Sequence, residues 1–341
     1  MIVKLDKPVL QAADIPYPAD LVFNAGIAKY QGKYVMVFRN DVGYKPDSTS
    51  DNRNTVLGVA TSNDGVKWEV SPKPWIVGAP FDEQNCEIQR YYDPRLTVID
   101  GVCHMCFAVD TKHGVCGGIL KTEDFDKYEV LTMSAPDNRN MVLFPDKIGG
   151  RYFRLERPFP EYSRGYAEKF DIWSSASPDL RYWGDTKLLL GTEQVPYANS
   201  KIGPAAPPVK TSKGWLTTIH AVYKHKDKML KAWAGQKWDK EYLGGLMLLD
   251  LEDPTKVIGL CPEPILKAEL AHELDGFRGT VIFPGGMILE DSGEVKIYYG
   301  AADTVECLAT AHVDDLLKMC RTFGCNKSQS SQRMTDGWIV G

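Results

Sequence analysis

The sequence predicts an all-β fold, a five-bladed β-propeller with a central cleft and a short C-terminal tail, on three observations. Helical periodicity is scarce, strand-like runs follow a glycine turn five times, and these runs recur in order at a spacing that suits propeller blades. The 341 residues are 43% hydrophobic and 25% charged, ordinary for a folded chain, and all-β architectures of this length are often built as one domain.

The five runs are GKYVMVFR from Gly32, GVCHMCFAVD from Gly101, GRYFRLERP from Gly150, GWLTTIHAVY from Gly214 and GEVKIYYGAAD from Gly293. They are rich in valine, isoleucine and aromatics, the signature of strands. Before each stands a segment that starts polar and turns apolar: FNAGIAKY, YYDPRLTVI, NRNMVLFPDKI, KIGPAAPPVK and GTVIFPGGMIL. Each unit thus reads as strand, glycine turn, strand. Later strands repeat too, because TSNDGVKWEV, KTEDFDKYEV and SASPDLRYWG share a Ser or Thr, then an Asp, then an aromatic. LLDLEDPTKV and TAHVDDLLKM take the corresponding places more loosely. The markers Asp64, Asp124, Asp179, Asp253 and Asp315 stand 60, 55, 74 and 62 residues apart, which fits blades of four strands. The best helical candidate is the short stretch from Asp314 to Arg321. Residues 1–323 therefore form one propeller domain in this reading. Residues 324–341 form a polar tail with little to bury.

The formal net charge of −5 argues against a general nucleic-acid binder, whose surface must attract phosphate backbones. The N-terminus lacks the basic start and apolar run of a signal peptide, and no window is long and apolar enough to span a membrane. Eight cysteines lying mostly in apolar runs fit reduced core thiols, so the expected location is cytoplasmic. Cys103-His104-Met105-Cys106 has the spacing of half a zinc site, but no partner half exists and the run alternates like a strand. The six histidines are scattered, so no metal or other cofactor is implied. Propellers with apolar loops often associate, which allows a homo-oligomer.

Inner strands of a propeller run in one direction around a channel, so the residues at their heads converge on one mouth. Asn24, Asp93, Asn140 and Lys201 stand at such heads. Arg39, Asp110, Arg157, His220 and Asp303 stand at the far ends of the strands that follow, and a hairpin returns those ends to the same mouth. Singly these residues are unremarkable: Asp93 before Pro94 suits a strand-entry turn, and strand-end arginines usually make weak surface ion pairs. Convergence is what marks them as a site. Tyr91, Tyr92, Tyr197, Tyr223 and Tyr299 lie near the same end, where aromatic faces could stack on sugar rings; for Tyr299 packing between blades is the favoured reading.

These motifs resemble, in the same order, those of glycoside hydrolase family 130, the β-mannoside phosphorylases and their hydrolase relatives. The residues that carry the resemblance are YYDPRL, NRNMVLFPDKI, the RP of RLERP, SKIGPAAPPV, GWLTTIHAVY, LLDLEDP and IYYGAADT, between about Asn24 and Thr310. It implies a five-bladed propeller and a catalytic acid at Asp93. It also implies phosphate-binding residues at Arg139, Arg157, Lys201 and His220, and sugar-binding residues at Asn24, Arg39, Asn140 and Asp303, with Tyr92 and Tyr223 as further sugar contacts. The implied reaction is inverting phosphorolysis of terminal β-D-mannosides, of manno-oligosaccharide or mannosyl-glucose type, by inorganic phosphate as co-substrate, releasing α-D-mannose 1-phosphate. A phosphorylase needs the acid but no base, because phosphate is already nucleophilic, and arginine forks suit its oxygens. Asp93 must carry a proton to donate, so burial is expected to raise its pKa, with Arg95 opposing the rise. Alternatives are a β-mannosidase on the same fold and a non-catalytic glycan-binding propeller. The chain departs from the family pattern in FNAG, IGPAAPP and Asp146, which leaves linkage and acceptor sugar open. The insertion from Lys224 to Tyr242, with Trp233 and Trp238, either shapes the acceptor side of the cleft or is a surface loop.

Overall fold

Three of the glycine turns have a residue pair with positive φ at their tip: Gln31 and Gly32 (49° and 78°), Asp100 and Gly101 (51° and 79°), Gly149 and Gly150 (57° and 77°). That pairing matches the right-handed twist of the flanking strands, so each turn closes a tight antiparallel hairpin. The computed structural model describes residues 1–44, 46, 54–78, 87–159 and 170–323. Its hairpins build five antiparallel sheets, the blades of a β-propeller. The tail assigned to 324–341 lies outside the described residues.

From the axis outward, blade 1 is Leu21–Tyr30, Lys33–Val42, Asn54–Ser62 and Glu69–Val70. Blade 2 is Ile88–Ile99, Val102–Thr111, Gly114–Thr122 and Glu129–Met133. Blade 3 is Asn138–Leu143, Tyr152–Pro158, Ile172–Ser177 and Gly184–Leu190. In blade 4, Lys201–Pro204 and Val209–Thr211 both pair with Gly214–Lys224, followed by Lys240–Leu249, Val257–Leu260 and the edge strand Arg321–Thr322. Blade 5 is Ile282–Leu289, Glu294–Ala301 and Val305–His312, and its outer strand is Val3–Lys4 from the N-terminus. Apolar side chains fill the seams between blades. Val37, Leu57 and Val59 of blade 1, for example, pack on Leu96, Met105 and Phe107 of blade 2.

The repeated Ser/Thr-x-Asp is a turn device. Ser62, Thr122 and Ser177 each accept the N–H three residues on, at 2.8, 3.0 and 2.8 Å. Asp64, Asp124 and Asp179 each accept two further N–H groups that start the return to the outer strand. Two of the five markers need correction. In blade 4 it is Asp250, not Asp253, that accepts the N–H groups two and three residues on, both at 2.9 Å. Asp315 lies in a helix, Val313–Met319, because the N-terminal strand already fills the outer place in blade 5. Cys103 and Cys106 sit in the second strand of blade 2, three residues apart and so on opposite faces, each packed in a different seam.

The inner strands share one irregularity. Register against the second strand slips by one residue between Phe23 and Gly26, Tyr92 and Arg95, Arg139 and Val142, and Pro284 and Gly286. In blade 4 the inner strand is interrupted after Pro204 and resumes at Val209. Each slip is a β-bulge, which bends the strand and re-aims a side chain. Asn24, Asp93 and Asn140 occupy equivalent places in the first three, with φ of 53°, 53° and 57°. Asn and Asp tolerate this left-handed backbone better than other residues with a Cβ.

Candidate active site

The bulges turn Asn24, Asp93 and Asn140 toward the axis, where they meet in a cavity of about 340 Å³. Register explains who faces them. Phe23 pairs with Arg39, Arg139 with Arg157 and Gly203 with His220, so the second strands deliver their cations beside the bulges. Of the residues singled out from sequence, Asn24, Arg39, Tyr92, Asp93, Arg139, Asn140, Arg157, Lys201, His220 and Asp303 all line this cavity. Tyr223 does not; its 41% exposed ring lies edge-on to His225, 5.1 Å away. Tyr91 is buried in the seam between blades 1 and 2, and Tyr299 donates to Glu273 Oε1 at 2.8 Å inside blade 5, so both belong to the packing. Tyr197 also packs away from the cavity, in the seam of blades 3 and 4.

Asp93 Oδ1 accepts from Asn24 Nδ2 at 3.0 Å and lies 3.4 Å from Arg39 Nη1. Arg39 is held as a fork on Asp41, Nε to Oδ1 at 2.8 Å and Nη2 to Oδ2 at 2.6 Å, and Thr55 donates to the same carboxylate at 2.8 Å. The Tyr92 hydroxyl donates to Asp110 at 2.7 Å and accepts from Arg139 Nη1 at 3.1 Å. Asp110, itself behind the wall, also takes Arg90 Nε at 2.6 Å. The second cavity carboxylate, Asp303, faces Arg278 Nη1 at 3.3 Å.

The expectation of a raised Asp93 pKa is not met. Burial does push it up, but Arg39, Arg95, the Asn24 hydrogen bond and Arg139 together outweigh burial and hold it below the usual carboxylate range. Asp303 goes the other way: burial raises it, and Arg278 and Arg39 offset only part of the rise.

Across the cavity lies a cluster of basic side chains. Arg157 Nη1 is 2.9 Å from His220 Nε2, and Lys201 Nζ sits 5.2 Å from the centre of the Tyr242 ring. Among the described residues no carboxylate comes within ion-pair distance of Arg139, Arg157 or Lys201. Burial, then the neighbouring Arg157 and Arg139, push Lys201 down to about 6. Burial, then Arg139, bring Arg157 down to about 9. Burial and Arg157 likewise keep His220 neutral. Gly203 makes the approach possible, since a Cβ there would lie 2.3 Å from His220 Cε1. Lys201 and Arg157, buried, with depressed pKa values and with no carboxylate in ion-pair reach among the described residues, mark a place built for an anion.

Several lining residues were not singled out from sequence: Phe23, Tyr44, Arg90, Gln236, Tyr242, Phe277, Arg278 and Phe283. Arg278 had a signal, because it precedes the inner strand of blade 5 as Lys201 opens that of blade 4. The insertion does reach the site: Gln236 and Trp238 line the cavity, Trp238 stacks on Tyr242 at 6.0 Å and 13°, and Arg278 lies 5.0 Å over the Trp238 ring. Asp146 pairs with Lys210 at 2.9 Å on the surface and does not line the cavity.

The chain matches the family model described as beta-1,4-mannooligosaccharide phosphorylase, glycoside hydrolase family 130, over residues 7–322. It is 35% identical over 250 residues to a β-1,2-mannobiose phosphorylase of Listeria innocua, covering 73% of this chain and 64% of the relative's length. To a 1,2-β-oligomannan phosphorylase of Thermoanaerobacter it is 31% identical over 319 residues, covering 91% of this chain and 97% of the relative. A solved structure of β-1,2-mannobiose phosphorylase from Listeria innocua with β-1,2-mannobiose superposes with a TM-score of 0.78, at 26% identity, over 93% of this chain and 98% of that one.

Proposed function

Starting from the fact that the chain belongs to glycoside hydrolase family 130, we propose that it is a β-mannoside phosphorylase that inverts configuration and releases α-D-mannose 1-phosphate. The observation that carries the reading is the pairing, in one cavity, of Asp93 with the unneutralised set Arg139, Arg157, Lys201 and His220. A hydrolase must activate water with a base; a phosphorylase must instead hold a dianion close to carboxylates. Two guanidiniums, an ammonium and an imidazole suit the second task, with arginine able to bind two phosphate oxygens at once.

In the proposed reaction a phosphate oxygen attacks the anomeric carbon of the terminal mannose on the face opposite the aglycone. The glycosidic bond breaks as the proton of Asp93 passes to the leaving oxygen, directly or through a sugar hydroxyl. The products are a sugar phosphate of inverted configuration and an acceptor shortened by one residue. Asn24, Arg39, Asn140 and Asp303 hold the mannose hydroxyls, and Tyr92, fixed by Asp110, backs the ring. Trp238, Tyr242 and Phe277 supply further aromatic faces of the cavity wall.

The depressed Asp93 pKa fits this scheme through ligand binding. A bound phosphate neutralises Arg139, and a bound sugar displaces water from the carboxyl, so both ligands lift Asp93 toward the proton it must donate. No helix among the described residues is long and apolar enough to cross a membrane.

The test is incubation with manno-oligosaccharides of β-1,2 and β-1,4 linkage, with and without inorganic phosphate. Sugar phosphate forming only with phosphate supports the proposal. Equal release of free mannose in both tubes contradicts it, and no turnover on any mannoside, with binding intact in Asp93→Asn, would favour a glycan-binding propeller.

A further inference from the structure

The bulges that aim Asn24 and Asp93 into the cavity add a residue to one strand only, so backbone groups at the bulge lose their ladder partners. Two buried ionisable side chains that do not line the cavity bond some of those groups. Arg95, 3% exposed, donates from Nη1 to the carbonyls of Pro94 at 2.7 Å and Asn24 at 3.3 Å. Its Nη2 reaches Pro284 O at 3.4 Å, and its Nε reaches Ala205 O at 2.6 Å. These carbonyls lie where the inner strands of blades 2, 1, 5 and 4 lose register. Glu306, fully buried on the third strand of blade 5, accepts the N–H of Ala25 through Oε2 at 3.1 Å. One guanidinium and one carboxyl thus bond backbone groups at the interruptions of four inner strands. The fit is close: a Cβ at Gly26 would lie 2.8 Å from Arg95 Cα and from Pro94 O, and one at Gly285 only 3.3 Å from Arg95 Nη1.

We propose that Arg95, with Glu306 holding the Ala25 N–H beside it, is the positioning residue of this site, fixing the left-handed Asn24 and Asp93 bulges so that the Asp93 carboxyl is held in the orientation proton donation requires. The inference rests on the reading of Asp93 as the acid. Only a planar fork reaches carbonyls of four blades at once; a lysine ammonium in the same place keeps the charge and loses the span. Arg95 also opposes protonation of Asp93, so charge and span can be separated by experiment.

The experiment measures kcat, the KM for phosphate and the pH profile of phosphorolysis for Arg95→Lys, Arg95→Met, Glu306→Leu and Asp93→Asn, with circular dichroism to establish folding. Arg95→Lys should lower kcat about tenfold to a hundredfold while the KM for phosphate stays within about threefold, the signature of a misplaced acid. Its pH limb should stay in place because the charge remains. Arg95→Met should show the same loss with the Asp93 limb moved to higher pH, and Glu306→Leu a loss of the same kind without that movement. A folded Arg95→Lys with wild-type kcat, or an Arg95→Met limb that does not move, overturns the proposal. Failure of both Arg95→Lys and Glu306→Leu to fold overturns it as well, since the clamp is then a requirement of folding. Activity surviving in Asp93→Asn would sink the acid reading itself, whatever the Arg95 variants show.

Discussion

Replacing Lys201 by methionine should stabilise the ligand-free protein while destroying its response to phosphate. Lys201 falls from 10.5 to about 6 because it is buried beside Arg157 and Arg139, with no carboxylate partner among the described residues. The folded chain therefore holds fewer protons than the unfolded chain between these pH values. Stability accordingly rises with pH across that window, and the burden is complete below pH 6. At pH 7 the lysine must give up its proton on folding, which costs about 5 kcal/mol as an upper bound at about 1.4 kcal/mol per pH unit. Relaxation around the buried charge trims this, so Lys201→Met is expected to gain about 2 kcal/mol, or about 3 °C in Tm, in phosphate-free buffer. Calorimetric scans from pH 6 to 9 check the gain and its decline as pH rises. Phosphate reverses the burden by restoring the proton. At pH 8, where phosphate is already mainly a dianion, titration calorimetry in buffers of different ionisation heat should show wild type taking up about one proton per anion bound, and the variant little. A variant less stable than wild type across the whole range, or one with undiminished proton uptake, would refute the reasoning.

Other outcomes follow from the same geometry. The limb of kcat/KM set by protonated Asp93 should fall at lower pH than the corresponding limb of kcat, because Arg39 and Arg95 depress the free carboxyl against its burial and ligands relieve that; coincident limbs in a full pH profile would contradict it. Asn24→Gly keeps the left-handed backbone, φ 53°, but removes the 3.0 Å bond to Asp93, so kcat should drop with Tm nearly unchanged, measurable by steady-state kinetics beside a thermal scan. Gly203→Ala puts a Cβ 2.3 Å from His220 Cε1, so the imidazole must move and the KM for phosphate should rise at least about tenfold while binding of mannosides in the absence of phosphate persists.

Sequence reveals most of the blades because hairpins are local: Gln31-Gly32 and Asp100-Gly101 announce their turns, and the alternating strands follow. It loses the fifth blade's outer strand because Val3–Lys4 is two residues long and pairs with Thr310 and Ala309, three hundred positions away. That is why the fifth marker position falls on Asp315, which belongs to a helix. That ten of the candidate residues share one cavity is legible because head and end positions of hairpins converge whatever the loops do. The bulges leave a fainter trace: their occupants, Asn24, Asp93 and Asn140, are residue types that accept positive φ, but those types suit ordinary turns as well. The Asp93 pKa goes down and not up because Arg39 reaches it from blade 1 and adds to the neighbouring Arg95, and no spacing along the chain encodes that approach. Tyr223 failed for a related reason: it lies three residues beyond His220 in the same strand, and alternation there turns it outward, 41% exposed.

The most direct test of the central claim is to run the reaction in oxygen-18 water with a manno-oligosaccharide and phosphate, and to read the products by mass spectrometry and phosphorus NMR. The account predicts α-mannose 1-phosphate free of the heavy isotope, because the new bond to the anomeric carbon comes from phosphate. Free mannose carrying oxygen-18, with no sugar phosphate at any time point, would contradict it.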